Sequence, residues 1–149
     1  MIVYRITLAK WAGHLVASGR ASRWNSNGYF MLYAASTRAL ACLENMVHRR
    51  SIGSDDRFRV TLIDIPDDVH IKQINKNKLP ANWQEYANYT FCQVLGNTWL
   101  KENKTAVLRV PSSIITEEYN YLLNPQHPDF PRIKVRSTEK FTFDERLLK

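Results

Sequence analysis

The stretch Tyr33-Ala34-Ala35-Ser36-Thr37-Arg38-Ala39-Leu40-Ala41-Cys42-Leu43-Glu44-Asn45-Met46-Val47-His48 decides how the chain is read. It opens on small and aromatic residues, passes a capping hydroxyl at Ser36 or Thr37, and turns into a helical pattern. Ala39, Leu40, Leu43, Met46 and Val47 recur at three- and four-residue spacing and predict one apolar stripe. Glu44 stands inside that stripe or at its edge. A carboxylate there costs free energy unless something pairs with it. Either it turns sideways to Arg38, Arg49 or water, or it lines a cleft and acts there.

Working outward, residues 30–34 predict a short strand feeding this helix. Residues 2–8 alternate Ile2, Tyr4, Ile6 and Leu8 against Val3, Arg5 and Thr7, a strand with two unlike faces. Arg5 is then either a solvent-facing residue of an edge strand or a rigid fork for a carboxylate or diphosphate. Residues 10–28 read as an irregular connection carrying Gly13, Gly19 and Gly28. Within it, Arg23-Trp24-Asn25 before Ser26-Asn27-Gly28 suits a ligand loop, in which arginine meets phosphate and indole stacks on a ring. The alternative is an Asn-Gly turn with Trp24 tucked into the core.

Downstream, residues 57–65 predict a strand with a phase change near its end, stopped by Pro66. Residues 71–80 are polar and read as a surface connection. Residues 83–103 predict a second helix, weakened at Gly96. Residues 105–110 form a buried-looking strand ended by Pro111. Ser112 and Ser113 follow it, either as ligand contacts at a strand's C-terminal end or as turn residues bonding their own backbone. Residues 117–130 are rich in turn formers and read as an ordered loop or short helix. Two last strands are expected at 133–136 and 141–143. Interleaved helices and strands without repeat or linker predict one α/β (α+β) domain spanning the chain.

With 149 residues and a hydrophobic fraction of 44%, the chain can bury a core without metal or disulfide staples. Cys42 and Cys92 form no CxxC pair and are expected as packed thiols of a reduced, cytoplasmic protein. No leader pattern and no apolar run near about 20 residues is present, so no membrane span is expected. The net charge of +7, from 21 basic and 14 acidic residues, favours an anionic partner: nucleic acid, a phosphorylated small molecule or an acidic protein. The basic residues are dispersed, the densest group being His48-Arg49-Arg50. GxGxxG, GxxxxGK[ST] and GxSxG are absent, and the four histidines do not space with the cysteines as zinc ligands, so no metal is expected.

An ordered set of short motifs resembles the RES-domain family. They are Val3-Tyr4-Arg5-Ile6, Arg23-Trp24-Asn25, Tyr33 to Ser36, Ala39 to Glu44, Val110-Pro111-Ser112-Ser113, Asn120 to Pro128, and Phe143 to Leu147. The family takes its name from an arginine, a glutamate and a serine, and its members are toxins of bacterial type II toxin–antitoxin pairs. The resemblance implies a mixed, split β-sheet flanked by helices, similar to the ADP-ribosyltransferase core, with NAD as substrate and no separate cofactor. It implies NAD depletion by hydrolysis or phosphorolysis of the nicotinamide–ribose bond, or alternatively ADP-ribosylation of a protein. The implied partner is a cognate antitoxin with a helix-turn-helix repressor-like domain, whose terminal segment blocks the cleft and which alone brings the toxin to DNA. By the same resemblance Glu44, Arg23 and Tyr33 are the catalytic residues, with Glu44 stabilising an oxocarbenium-like transition state; Arg5 and Arg23 hold the diphosphate, Tyr33 and Trp24 wall the nicotinamide or ribose, and Tyr4 contacts the substrate. Asn25, Ser36, Ser112 and Asn120 are the expected polar contacts. Many relatives carry glycine before the Arg-Trp-Asn run, where this chain has Ala21-Ser22. A reading of another class remains beside these, a non-catalytic basic module that binds nucleic acid or an acidic partner.

Overall fold

The computed structural model describes residues 1–48 and 57–148. Arg49 and Arg50 of the basic group therefore lie outside the described residues. The chain runs β1 (Ile2–Leu8), β2 (Leu32–Ala35), α1 (Arg38–Val47), β3 (Phe58–Asp64), β4 (Ile71–Gln73), α2 (Tyr89–Glu102), β5 (Val107–Pro111), β6 (Tyr119–Leu123) and β7 (Lys134–Phe141). Among the described residues these strands make one seven-stranded sheet ordered β4-β5-β6-β2-β1-β3-β7. All neighbours are antiparallel except β4 and β5.

The sheet has a seam. β1 pairs with β3 over its whole length, from Ile2–Asp64 to Leu8–Phe58, and β2 pairs with β6 from Leu32–Leu123 to Ala35–Asn120. Between β1 and β2 the register holds only at Tyr4–Ala35. The two halves of the sheet are joined at that point and part beyond it, which is the expected split.

Alternation along the strands sorts the core. Val3, Leu32, Ala34, Ile63, Val107, Tyr121 and Leu123 cluster on one face, with Leu15 and Ala17 from the irregular segment and Phe130 from a short 3-10 turn packed over them. On the other face α2 brings Cys92 and Trp99 onto Leu108, Val110 and Leu122, while α1 brings Leu40, Ala41 and Cys42 onto Ile6, Ala35 and Val60. Both helices thus cover the same side, one over each half of the sheet.

Helix α1 begins where a cap is available: the Thr37 hydroxyl accepts from the Leu40 N–H at 3.0 Å, a contact worth about 1 kcal/mol. Its buried stripe differs from the expected one. Leu40, Ala41 and Cys42 are buried, whereas Ala39 and Val47 face solvent. The helix is rotated so that Ala41, Glu44, Asn45 and His48, at helical spacing, face the seam.

Four further expectations need correction. Residues 71–73 are a parallel edge strand, β4, not a plain connection. The second helix starts at Tyr89, after a short 3-10 turn at Tyr86–Asn88. Residues 119–123 are an interior strand, β6, rather than loop or helix. Residues 134–141 are one continuous edge strand whose charged residues, Lys134, Glu139 and Lys140, guard an open edge. The phase change expected in β3 is a register shift between Leu62 and Ile63 against β7.

Candidate active site

A cavity of about 530 Å³ opens where β1 and β2 diverge. Arg5 and Thr7 reach it from β1, Tyr33 from β2, Arg20 from the irregular segment, and Glu44 and Asn45 from α1. A second hollow of about 350 Å³ lies beside it, walled by Arg23, Tyr86, Tyr89 and Ile114. Ser22, Tyr33, Glu44, His48 and Asn120 border both. Glu44 therefore sits at the divide.

The carboxylate is held from one side. Its Oε1 accepts from Ser112 Oγ at 2.8 Å and from Asn120 Nδ2 at 2.7 Å. The Ser112 hydroxyl is itself oriented, because its oxygen accepts from the Ile114 and Ile115 N–H groups at 3.0 and 3.1 Å. Ser112 is fully buried, so its proton points to Glu44 rather than to water. Oε2 makes no hydrogen bond to the described residues, and Glu44 lines both cavities. An anion fixed at one oxygen, with the other unbonded among the described residues, is a preorganised group for developing positive charge. Of the alternative partners, Arg49 lies outside the described residues, and Arg38 is committed elsewhere: its guanidinium meets Glu139 at 3.0 Å and lies over the Tyr4 ring.

Arg5 projects into the larger cavity with no partner among the described residues, and burial pushes its pKa below the ordinary arginine value. A part-buried, uncompensated guanidinium favours an anionic ligand. Arg23 does not share that cavity. Its Nη1 and Nη2 donate to the carbonyls of Trp83 and Gln84 at 2.9 and 2.7 Å, and its plane lies over Tyr89, 4.4 Å from the ring centre. The expected clamp of Arg5 and Arg23 on one diphosphate is therefore not assembled; Arg20 is the second arginine lining the larger cavity.

The Arg-Trp-Asn run is a rigid abutment rather than a free ligand loop. Trp24 is buried against Trp83 and only borders the smaller hollow. Asn25 lines neither cavity: its Nδ2 donates to the carbonyls of Arg20, Ser26 and Tyr29, and its Oδ1 accepts from the Tyr33 hydroxyl at 2.5 Å. The same hydroxyl accepts from the Trp24 N–H at 3.1 Å. Burial holds the Tyr33 phenol far above its ordinary pKa, so it is a neutral strut. Helix α2 braces the run through Gln93, which donates to the Ser22 and Asn25 carbonyls, and through Asn97 with Ser26. Gly96 allows this closeness, since a Cβ there would sit 1.8 Å from the Trp24 carbonyl oxygen. That residue, which weakened the helix in the sequence, is the contact point. Ala21 and Ser22 need no glycine, for neither has a positive φ.

Ser36 and Ser112, expected at the ligand, line neither cavity. The Ser36 N–H bonds the Tyr119 carbonyl, and Ser112 acts on Glu44. Asn120 also serves Glu44 while bordering both hollows. Sequence reading missed Thr7, Arg20, Asn45, Tyr86 and Tyr89 at the site. The three-residue spacing of the two tyrosines was the available signal for them, and the side-by-side polar pair Glu44-Asn45 for Asn45.

The fold is a mixed α+β domain whose Glu44 carboxylate is held at the seam of the sheet. The chain belongs to the RES-domain family, whose pattern matches residues 2–144. It is 38% identical over 140 residues to the "Prs ADP-ribosylating toxin" of Sphingobium sp. (strain YBL2), covering 93% of this chain and 85% of that protein. To the "Toxin Res" of Yersinia enterocolitica it is 31% identical over 153 residues, 99% of each chain. It shares its fold with a chain of the M. tuberculosis MbcT–MbcA toxin–antitoxin complex, with a TM-score of 0.72 at 16% identity, covering 95% of this chain and 84% of that one.

Proposed function

We propose that this chain is a bacterial, cytoplasmic toxin of a toxin–antitoxin pair that opens the nicotinamide–ribose bond of NAD. The observation that carries the reading is Glu44, pinned through Oε1 and with Oε2 unbonded among the described residues, beside a cavity lined by Arg5, which has no partner among the described residues. Breaking the glycosidic bond leaves positive charge on the ribose carbon. A carboxylate bonded to a ribose hydroxyl stabilises that charge more than the ground state, which is what raises rate. Arg5, with Arg20, takes the diphosphate in the larger cavity, and Tyr33 keeps the wall in place. Passing ADP-ribose to water or phosphate depletes NAD and arrests growth. Passing it to a protein is the second reading, favoured by the name of the Sphingobium relative.

The family and the toxin–antitoxin complex of the structural neighbour support an antitoxin as partner. A cognate antitoxin with a helix-turn-helix domain inserts a terminal segment into the cleft and carries the toxin to DNA. The test is nicotinamide release from NAD by purified chain, with Glu44→Ala slowing turnover about a hundredfold or more. Expression of the chain alone should collapse cellular NAD and stop growth, and co-expressed antitoxin should restore both. Steady NAD with normal growth, together with salt-dependent DNA binding, would favour the non-catalytic basic module.

A further inference from the structure

Among the described residues, Asn45 Oδ1 and Arg109 Nε are buried without a hydrogen-bond partner. Asn45 lines the larger cavity, one residue along α1 from Glu44. An orphaned amide oxygen destabilises a fold. The other half of the same amide is in use: Nδ2 donates to the Ile6 carbonyl at 3.0 Å.

That carbonyl lies where a strand partner is missing. β1 and β2 pair at Tyr4–Ala35, and the same antiparallel register carried onward would set Ile6 against Tyr33. The two strands part instead, and Ile6, Tyr33 and Asn45 all line the cavity between them. Ile6 is buried, so its backbone needs a partner from within the protein. The Asn45 amide takes the place that β2 leaves.

We infer that Asn45 is a positioning residue of the cleft: its amide stands in for the missing strand at Ile6 and so fixes Glu44 relative to Arg5. This rests on the reading of Glu44 and Arg5 as the groups that hold the ribose and the diphosphate of NAD. Glu44 and Asn45 are neighbours in the chain, as are Arg5 and Ile6, so one hydrogen bond makes a short path from carboxylate to guanidinium. The remaining packing of α1 on β1 is through Leu40, Ala41 and Cys42 against Ile6, and apolar contact is non-directional. A hydrogen bond sets distance and angle. Ribose and diphosphate belong to one molecule, so covalent bonds dictate their spacing and the cleft has to match it. A misplacement of about 1 Å costs about a hundredfold in rate.

The experiment follows nicotinamide release by the full chain, Asn45→Leu and Asn45→Asp over a range of NAD concentrations. Hydrogen exchange over residues 5–7 is measured beside it, without NAD. Leucine copies the branching at Cγ and removes the orphaned oxygen together with the donor, which limits the loss of stability. Aspartate keeps the shape but sets an oxygen against the Ile6 carbonyl. In both variants kcat per folded molecule should fall about tenfold to a hundredfold, because the carboxylate acts only in the transition state. KM, set by Arg5, should stay within about threefold, and exchange over 5–7 should quicken. Arg5→Lys should cost less in the Asn45→Leu background than in the wild type, the spacing being already lost. A kcat within about twofold of wild type in both variants would overturn the inference. So would activity that falls only as far as the folded fraction does, or effects of Asn45→Leu and Arg5→Lys that simply multiply. A wild-type chain that releases no nicotinamide would sink the NAD reading instead; exchange would then decide the clamp alone, quicker exchange upholding it and unchanged exchange overturning it.

Discussion

Replacing Glu44 by glutamine separates charge from shape. Both neighbours of Oε1, Ser112 Oγ and Asn120 Nδ2, donate to it at 2.8 and 2.7 Å. A glutamine would therefore turn its carbonyl oxygen to them and its NH₂ to the cleft, keeping the packing. A hydrogen bond to a charged group is worth about 1.5–3 kcal/mol and a neutral one about 0.5–1.5, so each contact weakens by about 1 kcal/mol. Relief from holding an anion partly away from water opposes that loss. The net change should stay within about 2 kcal/mol, a shift of a few degrees at about 2–4 °C per kcal/mol for a chain of this size. Turnover should fall by about a hundredfold to a thousandfold, because the oxocarbenium-like charge loses its counterion. Thermal unfolding by circular dichroism and nicotinamide release by chromatography read the two quantities side by side. Retention of more than about a tenth of wild-type turnover would refute the electrostatic role. A drop in Tm beyond about 10 °C with activity per folded molecule unchanged would make Glu44 a structural residue.

Gly96→Ala should destabilise the protein by about 2–4 kcal/mol and lower activity too, since the new Cβ meets the Trp24 carbonyl at 1.8 Å and neither backbone can yield cheaply; denaturant unfolding measures it. Tyr33→Phe should cost about 1–3 kcal/mol, leaving the Trp24 N–H and Asn25 Oδ1 without their partner. Because burial raises the folded-state pKa of Tyr33 above the ordinary 10.0, its stabilisation is complete below pH 10.0 and erodes above it as the unfolded chain ionises first. An alkaline absorbance titration should accordingly show one phenol that ionises only with unfolding. Arg5→Lys keeps the charge but loses the fork, so KM for NAD should rise about tenfold with kcat changing less; an unchanged KM would remove Arg5 from the diphosphate.

Much of the fold was legible because burial imposes a period. The alternation at 2–8 marked β1 to the residue, and the phase change in 57–65 marked the bulge against β7. β6 was illegible for an equally physical reason. Asn120 interrupts its apolar run and Asn124-Pro125 follows it, so local preference argued for a turn. The strand exists because β5 and β2 flank it and because Glu44 takes up the polar side chain in its middle. The charged edge strand β7 hid in the same way, its polar residues answering to solvent rather than to a core.

By itself the amino-acid order determined that a carboxylate rides on the first long helix at a place where an unpaired charge is costly, and that Arg5 lies in the middle of a strand. Those are properties of spacing, set by 3.6- and 2-residue periods. Only the tertiary structure decided which face of α1 turns inward, that Ser112 and Asn120, 68 and 76 residues beyond Glu44, close on the same oxygen, and that Arg5 and Arg23 face different hollows. Such contacts depend on how β1 and β2 part at the seam. No local period encodes the separation of two strands that meet at one residue pair.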